Sequence, residues 1–376
     1  MKLKPELKGL KYPIHPRPNP IAAALYILRD LGCDVIVLHG PSGCNFRALR
    51  LLEKDGVRVF TTALDDMDVI MGGRNKLIEV LRTISDAYSP KFIGVVGTCC
   101  TSIICEDIEA EVKEANLPVK VVAANVSACV GDNVEGALKI LESAVKAGVI
   151  DRGEYERQKV VLRRAAETER SRGVALPGYI EPEEGDDVVE VAKLILDEVG
   201  NGRVAVILNA KKETAYLYSD VMLAVNEALA DLKVNANATF IANLMGDRGL
   251  PKVRADASAI LRRLNEGGVK IDWLTGGLDE YALANEVIRS LIDRIGGFDL
   301  SLVLGVPQAI DVHGLGRAIG VSSGNRTMSR LRSLGYYKVI NEEGAHINVL
   351  GSKSIVESKL GKAIRREVKL RLRSHG

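Results

Sequence analysis

Cysteine is missing from this 376-residue chain beyond position 129. No thiolate ligand and no disulfide can therefore come from the rest of the sequence. In a reducing compartment, clustered cysteines are typical of metal ligands, reactive thiols or small buried residues before they indicate disulfides. The clustering points to metal chemistry in the first third of the chain, at positions 33, 44, 99, 100, 105 and 129.

Other scarcities narrow the class of protein. No apolar run is long enough to cross a bilayer and the first residues lack the core of a signal peptide, so we expect a cytoplasmic protein without membrane contact. A net charge of +2 and an aromatic content of 4% argue against a nucleic-acid partner. Glutamine occurs twice while Lys, Arg and Glu are plentiful, a balance typical of hot environments. Intracellular disulfides occur in such organisms, so a disulfide stays open as an alternative.

Strand-like and helix-like segments alternate along the chain. This alternation predicts an α/β fold with two to three Rossmann-like domains built on parallel sheets. The predicted strands cover 35–38, 57–61, 92–96, 119–123, 204–208, 238–242, 270–274 and 300–304. The predicted helices cover 21–31, 45–54, 76–88, 105–116, 133–147, 152–172, 220–232, 256–265 and a basic final helix over 352–373.

We divide the sequence into four parts on these patterns. The predicted parts are an N-terminal α/β domain with the cysteine loops over 1–150, a charged helical connector over 151–200, a second α/β domain over 201–298, and a third α/β segment with the basic helix over 299–376. The prolines and glycines between 173 and 187 indicate an irregular segment within the connector.

Two cysteine loops follow predicted buried strands. Cys44 closes the run HGPSGC after the first strand, and Cys99 and Cys100 follow GVVGT after the third. The carboxyl ends of strands are where open α/β sheets build their sites. Flanking glycines allow the backbone to approach a bulky ligand without a Cβ clash. This arrangement favours thiolate ligands of an inorganic cluster.

The two loops resemble paired motifs of the nitrogenase component 1 superfamily. HGPSGC matches the loop that supplies one cluster ligand in that superfamily, and GTCCTSIICEDIEAEVKE matches a cysteine followed by an acidic run. The resemblance is good over roughly the first 140 residues. It implies that Cys44 and Cys99 are cluster ligands, with Cys100 as the alternative to Cys99 if the register differs by one.

The resemblance also implies a cofactor and a quaternary structure. A 4Fe-4S cluster takes four thiolate-like ligands, and one chain supplies two matched positions. A homodimer that places Cys44 and Cys99 of each copy around one shared cluster satisfies that number.

Within the superfamily, the chain looks most like the large component of the nickel-sirohydrochlorin a,c-diamide reductive cyclases of coenzyme F-430 biosynthesis in methanogens, which are archaea. The implied activity is an ATP-dependent reduction of the nickel tetrapyrrole coupled to lactam ring closure, giving the seco-F-430 precursor. The implied partner is a nitrogenase reductase-like, ATP-hydrolysing 4Fe-4S protein that donates electrons. The chain has no glycine-rich lysine loop for binding ATP itself, which agrees with that division of labour.

A tetrapyrrole with anionic carboxylate arms calls for basic and polar groups around its pocket. Residues beside the predicted loops are candidates for binding this substrate: Arg17, Arg47, Asn125, Ser127, Arg248, His313 and Arg317.

Structural roles are also predicted for several other cysteines and histidines. Cys33, Cys105 and Cys129 border apolar runs and are expected to be small core residues. His39 is expected to orient its loop through hydrogen bonds. For His313, a structural role is the expected alternative to proton donation or nickel contact.

Three other functions compete with the cyclase reading. The chain could be a scaffold for assembly of a nitrogenase-like metal cofactor, although the lack of a later cysteine counts against this. It could act on a related tetrapyrrole. It could also be an α/β protein that binds nucleotides or sugars and whose cysteines are incidental.

Overall fold

The structure is a computed structural model that describes residues 19–129, 132–175, 179–233 and 237–374. Arg17 lies outside the described residues. Two compact units are present: the first holds residues 19–163 with 250–252, and the second holds 164–249 with 253–374.

The first unit is a repeated strand-loop-helix arrangement. Asn19 begins its first helix, since the Asn19 side chain accepts a hydrogen bond from the Ala22 N–H at 2.9 Å and Pro20 occupies the first helical position. The elements in chain order are α1 (Pro20–Asp30), β1 (Val35–His39), α2 (Phe46–Lys54), β2 (Arg58–Thr61), α3 (Asp66–Met71), α4 (Arg74–Tyr88), β3 (Phe92–Gly97), α5 (Cys99–Ile103), α6 (Ile108–Ala115), β4 (Lys120–Asn125) and α7 (Asn133–Lys146).

The sheet of the first unit has four parallel strands in the order β2-β1-β3-β4. β1 and β3 are central and buried along their whole length, which explains why their sequences VIVLH and FIGVVG are apolar without alternation. Helices cover them on both sides, with Leu28 of α1 and Leu77 of α4 fully buried. The predicted parallel sheet is confirmed.

The second unit contains the remaining elements. Helix α8 includes residues of both units. The elements are α8 (Arg152–Ser171), α9 (Val188–Glu198), β5 (Arg203–Asn209), α10 (Ala215–Asp231), β6 (Asn237–Ala242), α11 (Pro251–Glu266), β7 (Trp273–Leu274), α12 (Ala284–Ile295), β8 (Leu300–Gly305), a short 3-10 helix (Pro307–Ala309), β9 (Arg317–Ser322), α13 (Asn325–Ser333), β10 (Lys338–Asn341), α14 (Ala345–Val349) and α15 (Lys359–Ser374).

All six strands of the second unit lie in one parallel sheet, in the order β10-β9-β8-β5-β6-β7. The strand order reverses between β5 and β8, so the carboxyl ends of these two strands flank the point where α/β sheets bind ligands. The predicted boundary between 298 and 299 falls inside this sheet. It is not a structural boundary, because β8 pairs with β5 from Val204↔Leu300 to Asn209↔Gly305.

The basic final helix is shorter than predicted and packs against the second unit. α15 buries Leu360, Ile364 and Val368. The Arg365 guanidinium donates to the buried Asp220 carboxylate at 2.8 Å and to Glu227 at 2.6 Å, both on α10. The basic face of the helix is therefore partly used inside the unit.

Within the described residues, every helix is too short or too polar to span a bilayer.

Candidate functional site

The two cysteine loops lie side by side at the carboxyl edge of the four-stranded sheet. β1 and β3 are neighbours with His39 opposite Gly97, so the loops that follow them leave the sheet at the same level. The Cys44 N–H donates to the Pro41 carbonyl at 3.1 Å, which closes the first loop as a turn. Cys99 opens the short helix α5 directly after Thr98.

Glycine at position 40 allows this close approach of the two loops. A Cβ added to Gly40 would lie 2.6 Å from Thr98 Cγ2, closer than side chains tolerate. Gly43 in the same loop has nothing within 4 Å of its added Cβ. The packing requirement in the first loop is therefore specific to Gly40.

Cys99 lies in a cradle of hydrogen-bond donors. The Ala128 N–H donates to Cys99 Sγ at 3.1 Å, Ser127 Oγ lies 3.7 Å from it, and Cys129 Sγ lies 3.5 Å from it. Burial raises the pKa of the Cys99 thiol, but these donors outweigh burial and lower it overall. The site therefore favours the thiolate that a metal cluster requires.

Cys44 and Cys100 are half-buried thiols beside Cys99. Burial raises the pKa of Cys44, although Asn45 Nδ2 donates to its sulfur at 3.4 Å, and the charge of Cys99 adds to the increase. Burial also raises the pKa of Cys100, and Glu106, Cys44 and Cys99 contribute. The charge of Cys99 acts on both Cys44 and Cys100, so the thiols of the two loops lie near one another. The structure brings together the predicted ligands from both loops.

Two of the three cysteines predicted to be core residues are not in the core. Cys33 is buried as predicted. Cys105 is exposed because it sits in a left-handed turn, with φ of 58°, between α5 and α6. Cys129 is exposed because it follows the end of β4 on the loop that covers Cys99. We call Cys44, Cys99, Cys100 and Cys129 the thiol cluster. The sequence analysis did not assign Cys129 to this cluster, although its position after a strand could have indicated it.

Asn125 and Ser127 lie at the end of β4 with their side chains engaged within the chain. Asn125 Oδ1 accepts from Ser102 Oγ at 2.8 Å and from Thr101 Oγ1 at 3.1 Å, so its amide holds α5 against the sheet. Ser127 Oγ contacts Cys99 Sγ and accepts from the Cys129 N–H at 3.2 Å. Both residues organise the thiol cluster.

His39 orients the first loop through hydrogen bonds, as predicted. The ring is fully buried, with Nδ1 2.9 Å from Thr62 Oγ1 and Nε2 2.7 Å from Glu106 Oε2. Burial lowers the pKa of His39 despite the neighbouring Glu106 carboxylate. Burial therefore disfavours the charged form of the imidazole. The Gly40 N–H also donates to Thr62 Oγ1, at 3.0 Å, which extends the network into the loop.

Arg47 and Arg248, which were predicted to bind the substrate, differ in their exposure and in their ion pairs. Arg47 is exposed in the first turn of α2, three residues after Cys44, and forms no ion pair among the described residues. Arg248 follows β6 in the second unit and lies 3.4 Å from the buried Glu280 carboxylate.

His313 and Arg317 are at the amino edge of the second sheet. Arg317 is the first residue of β9, opposite Leu300 at the start of β8, and it pairs with Glu198. His313 is exposed in the loop before that strand. Because parallel sheets bind ligands at their carboxyl edge, this placement counts against the predicted substrate contacts of both residues.

A polar cluster at the carboxyl edge of the second sheet was missed by sequence reasoning. Lys211 follows β5 and its Nζ lies 3.0 Å from Glu169 Oε1 and 5.1 Å from the ring centre of Tyr281. Gln308, after β8, donates to the same Glu169 oxygen at 3.4 Å, and its own buried Oε1 has no hydrogen-bond partner among the described residues. Two features of the sequence could have indicated this cluster. Lys211 closely follows the apolar strand β5, and glutamine is rare in the chain.

Comparison with known proteins identifies the family. The family model described as nitrogenase component 1 type oxidoreductase matches residues 20–235. The chain belongs to this family. A relative from Methanothermobacter thermautotrophicus, named Ni-sirohydrochlorin a,c-diamide reductive cyclase complex, component CfbD, is 45% identical over 95% of this chain and 99% of its own.

Other members of the family show the same relationship. The component CfbD of Methanosarcina acetivorans is 42% identical over 95% of this chain and 97% of its own. A solved structure titled nitrogenase Cp1 covers 97% of this chain and 94% of its own, with 12% identity and a TM-score of 0.37. The family membership therefore rests on sequence.

Proposed function

We propose that this protein is the catalytic component of an ATP-dependent reductive cyclase that reduces Ni-sirohydrochlorin a,c-diamide and closes its lactam ring to the seco-F-430 precursor. The observation that carries this proposal is the similarity over nearly the whole chain to proteins named as component CfbD of that cyclase complex. The parallel α/β units and the adjacent cysteine loops support an oxidoreductase of the nitrogenase component 1 type.

The thiol cluster is suited to an iron-sulfur cluster shared between two copies of the chain. Cys44 and Cys99 lie on adjacent loops, and the donors around Cys99 stabilise its thiolate. Two such residues from each copy supply the four thiolates of a 4Fe-4S cluster. When bound, that cluster supplies a one-electron relay. Cys100 is the alternative ligand, and Cys129 is placed to donate a hydrogen bond to the Cys99 sulfur.

Substrate recognition requires positive and polar groups for the carboxylate and amide arms of the macrocycle. Arg47 is exposed three residues after Cys44, so it can contact a carboxylate bound beside the cysteine loops. The second unit has a polar edge of its own, where Lys211 pairs with Glu169 and Gln308 Oε1 has no hydrogen-bond partner among the described residues. Both lie at the switch point of their sheet.

The reductase partner is proposed from membership of the nitrogenase component 1 family and from the relatives named as components of a cyclase complex. In this proposal the protein acts in the cytoplasm, where a separate ATP-hydrolysing 4Fe-4S protein supplies the electrons one at a time. The sequence lacks the glycine-rich lysine loop that binds ATP phosphates, which agrees with this division of labour.

The experiment combines spectroscopy with turnover. Protein purified without oxygen is reduced with dithionite and examined by electron paramagnetic resonance, with and without Ni-sirohydrochlorin a,c-diamide. The proposal predicts an iron-sulfur signal whose line shape changes with the macrocycle, and product formation when the reductase and ATP are added. Cys99→Ser should lose both the signal and turnover, whereas Cys33→Ser, at a buried position, should keep them. Iron-free protein that still turns over with its reductase would contradict the proposal.

A further inference from the structure

A second group of metal-ligating side chains lies beneath the first cysteine loop, separate from the thiols. His39 at the end of β1, Glu106 before α6 and Glu111 within α6 place one ligand atom each within 4.8 Å of one another. His39 is fully buried, the Glu106 side chain is 6% exposed and Glu111 is 5% exposed. Such a set is unusual in a protein interior, where carboxylates are normally paired.

Neither carboxylate of this group forms a direct ion pair with a lysine or arginine among the described residues. Glu106 accepts from His39 and from the Gly73 N–H. Glu111 Oε2 is buried and has no hydrogen-bond partner among the described residues. Burial, together with the Glu106 and Asp107 carboxylates, raises the pKa of Glu111 to about 7.

Arg74 is a basic residue whose charge acts on Glu111, and it lowers the pKa of that carboxyl without outweighing burial. Arg74 pairs with Glu114 and Lys76 pairs with Asp68. In the part of the chain that the structure describes, no lysine or arginine forms an ion pair with Glu111. An unpaired buried carboxylate costs several kcal/mol. An occupant that brings positive charge would remove that cost.

We propose that His39, Glu106 and Glu111 form a mononuclear site for a divalent cation of the Zn²⁺, Mn²⁺ or Fe²⁺ class. One imidazole and two carboxylates are a ligand set that these ions favour, and two carboxylates balance a charge of 2+. The site shares no ligand with the cysteine cluster, although Glu106 acts electrostatically on Cys100, and it does not depend on the proposed cyclase activity.

The surroundings of His39 suit metal ligation. A ligating histidine donates its second ring N–H to a fixed acceptor, which sets the tautomer. Nδ1 lies 2.9 Å from Thr62 Oγ1, so the proton can reside there while Nε2 binds the ion. Ligand atoms around an ion with bonds of about 2.0–2.2 Å are roughly 3–4 Å apart. A small side-chain movement from the present separation is sufficient.

An ion here would tie together three segments that position the first loop. His39 ends the strand that leads into the loop, Glu111 is in α6, and Glu106 also holds the Gly73 backbone at the start of α4. The site would therefore stabilise the base of the Cys44 loop, in the manner of a structural metal site.

The test uses Mn²⁺, because thiolates bind it poorly and its signal reports nitrogen ligands. The full chain and its Glu111→Gln and Glu114→Gln variants are produced without oxygen in medium with added Mn²⁺, desalted, and analysed for Mn and Zn by mass spectrometry. Glu114 is the matched control, since it lies on the same helix but is exposed. Circular dichroism verifies that each variant is folded.

The expected result is about one Mn or Zn ion per chain in the parent protein and in Glu114→Gln, falling at least tenfold in Glu111→Gln. The Mn²⁺ spin-echo spectrum should show coupling to one imidazole nitrogen. The proposal is overturned if Glu111→Gln retains the ion, if no variant binds one, or if bound Mn²⁺ shows no nitrogen coupling. A carboxylic-acid infrared band at neutral pH in the parent protein, lost in Glu111→Gln, would show that a proton occupies the site and would also overturn it.

Discussion

At the scale of single residues, Cys44 and Cys99 have different surroundings, although each follows a buried strand in the sequence. Cys99 has three donors directed at its sulfur, and its pKa is lowered, whereas burial raises the pKa of Cys44. The chain thus supplies one thiol that ionises readily and one that needs a metal ion or a cation to do so. This asymmetry predicts different reactivity when no metal is bound.

In cluster-free protein, alkylation by iodoacetamide should reach its half-maximal rate at a lower pH for Cys99 than for Cys44. A lower pKa means that more Cys99 is thiolate at a given pH, and the thiolate is the form that reacts. Peptide mass spectrometry with fragmentation separates Cys99 from Cys100. Ser127→Ala should move the Cys99 profile to higher pH, because it removes a donor. A Cys44 profile at lower pH than that of Cys99 would contradict this assignment.

Gly40→Ala should destabilise the protein by about 1–3 kcal/mol, because the new Cβ overlaps the buried Thr98 side chain. The same change should reduce the iron content by separating the cysteine loops. Gly43→Ala is the matched control in the same loop and should change stability by less than about 0.5 kcal/mol. Equal denaturation midpoints for the two variants would show that the loops are not in close contact.

At the scale of the elements, the buried apolar strands were predicted most accurately, whereas several helices, including the twelve-residue α12, were missed. The apolar strands that became β1, β3, β5 and β8 were predicted within one residue at each end. α5 was missed because five residues are too few to show helical periodicity. α9 was missed because glycine and proline just before it suggested an irregular connector. β9 contains RAIGVS, whose glycine and length obscure a strand.

The site was predictable in part for a similar reason. Strand ends can be located from the sequence, so the two cysteine loops could be placed at one sheet edge. The group of His39, Glu106 and Glu111 could not be predicted from the sequence. These residues lie on a strand, a turn and a helix, and only the packing of the unit brings them together. The edge of the sheet at which Arg317 lies was not predictable, because a position beside a loop does not reveal it.

Docking of α15 depends on a partly buried ion pair. Arg365→Ala should destabilise the second unit by about 3 kcal/mol, because Asp220, whose side chain is 5% exposed, would lose its charged partner. Arg366→Ala, at the exposed neighbouring position on the same helix, should have little effect. Thermal unfolding followed by circular dichroism measures the difference. Similar melting temperatures for both variants would refute an energetic role for this pair.

At the scale of the whole molecule, the chain combines two parallel α/β units with different polar edges. The first unit carries thiols, which suit electron transfer, and the second carries Lys211 and Gln308 at its switch point, which suit an organic ligand with polar arms. Family membership and the full-length relatives fit this combination.

We propose that two copies of the chain share one 4Fe-4S cluster through Cys44 and Cys99. Native mass spectrometry of protein prepared without oxygen tests this arrangement, because it weighs the intact assembly with its cluster. We expect a dimer that carries one cluster of four irons and four sulfides, lost in Cys44→Ser and Cys99→Ser and retained in Cys129→Ser. A monomer with its own cluster, or a dimer with two clusters, would contradict it.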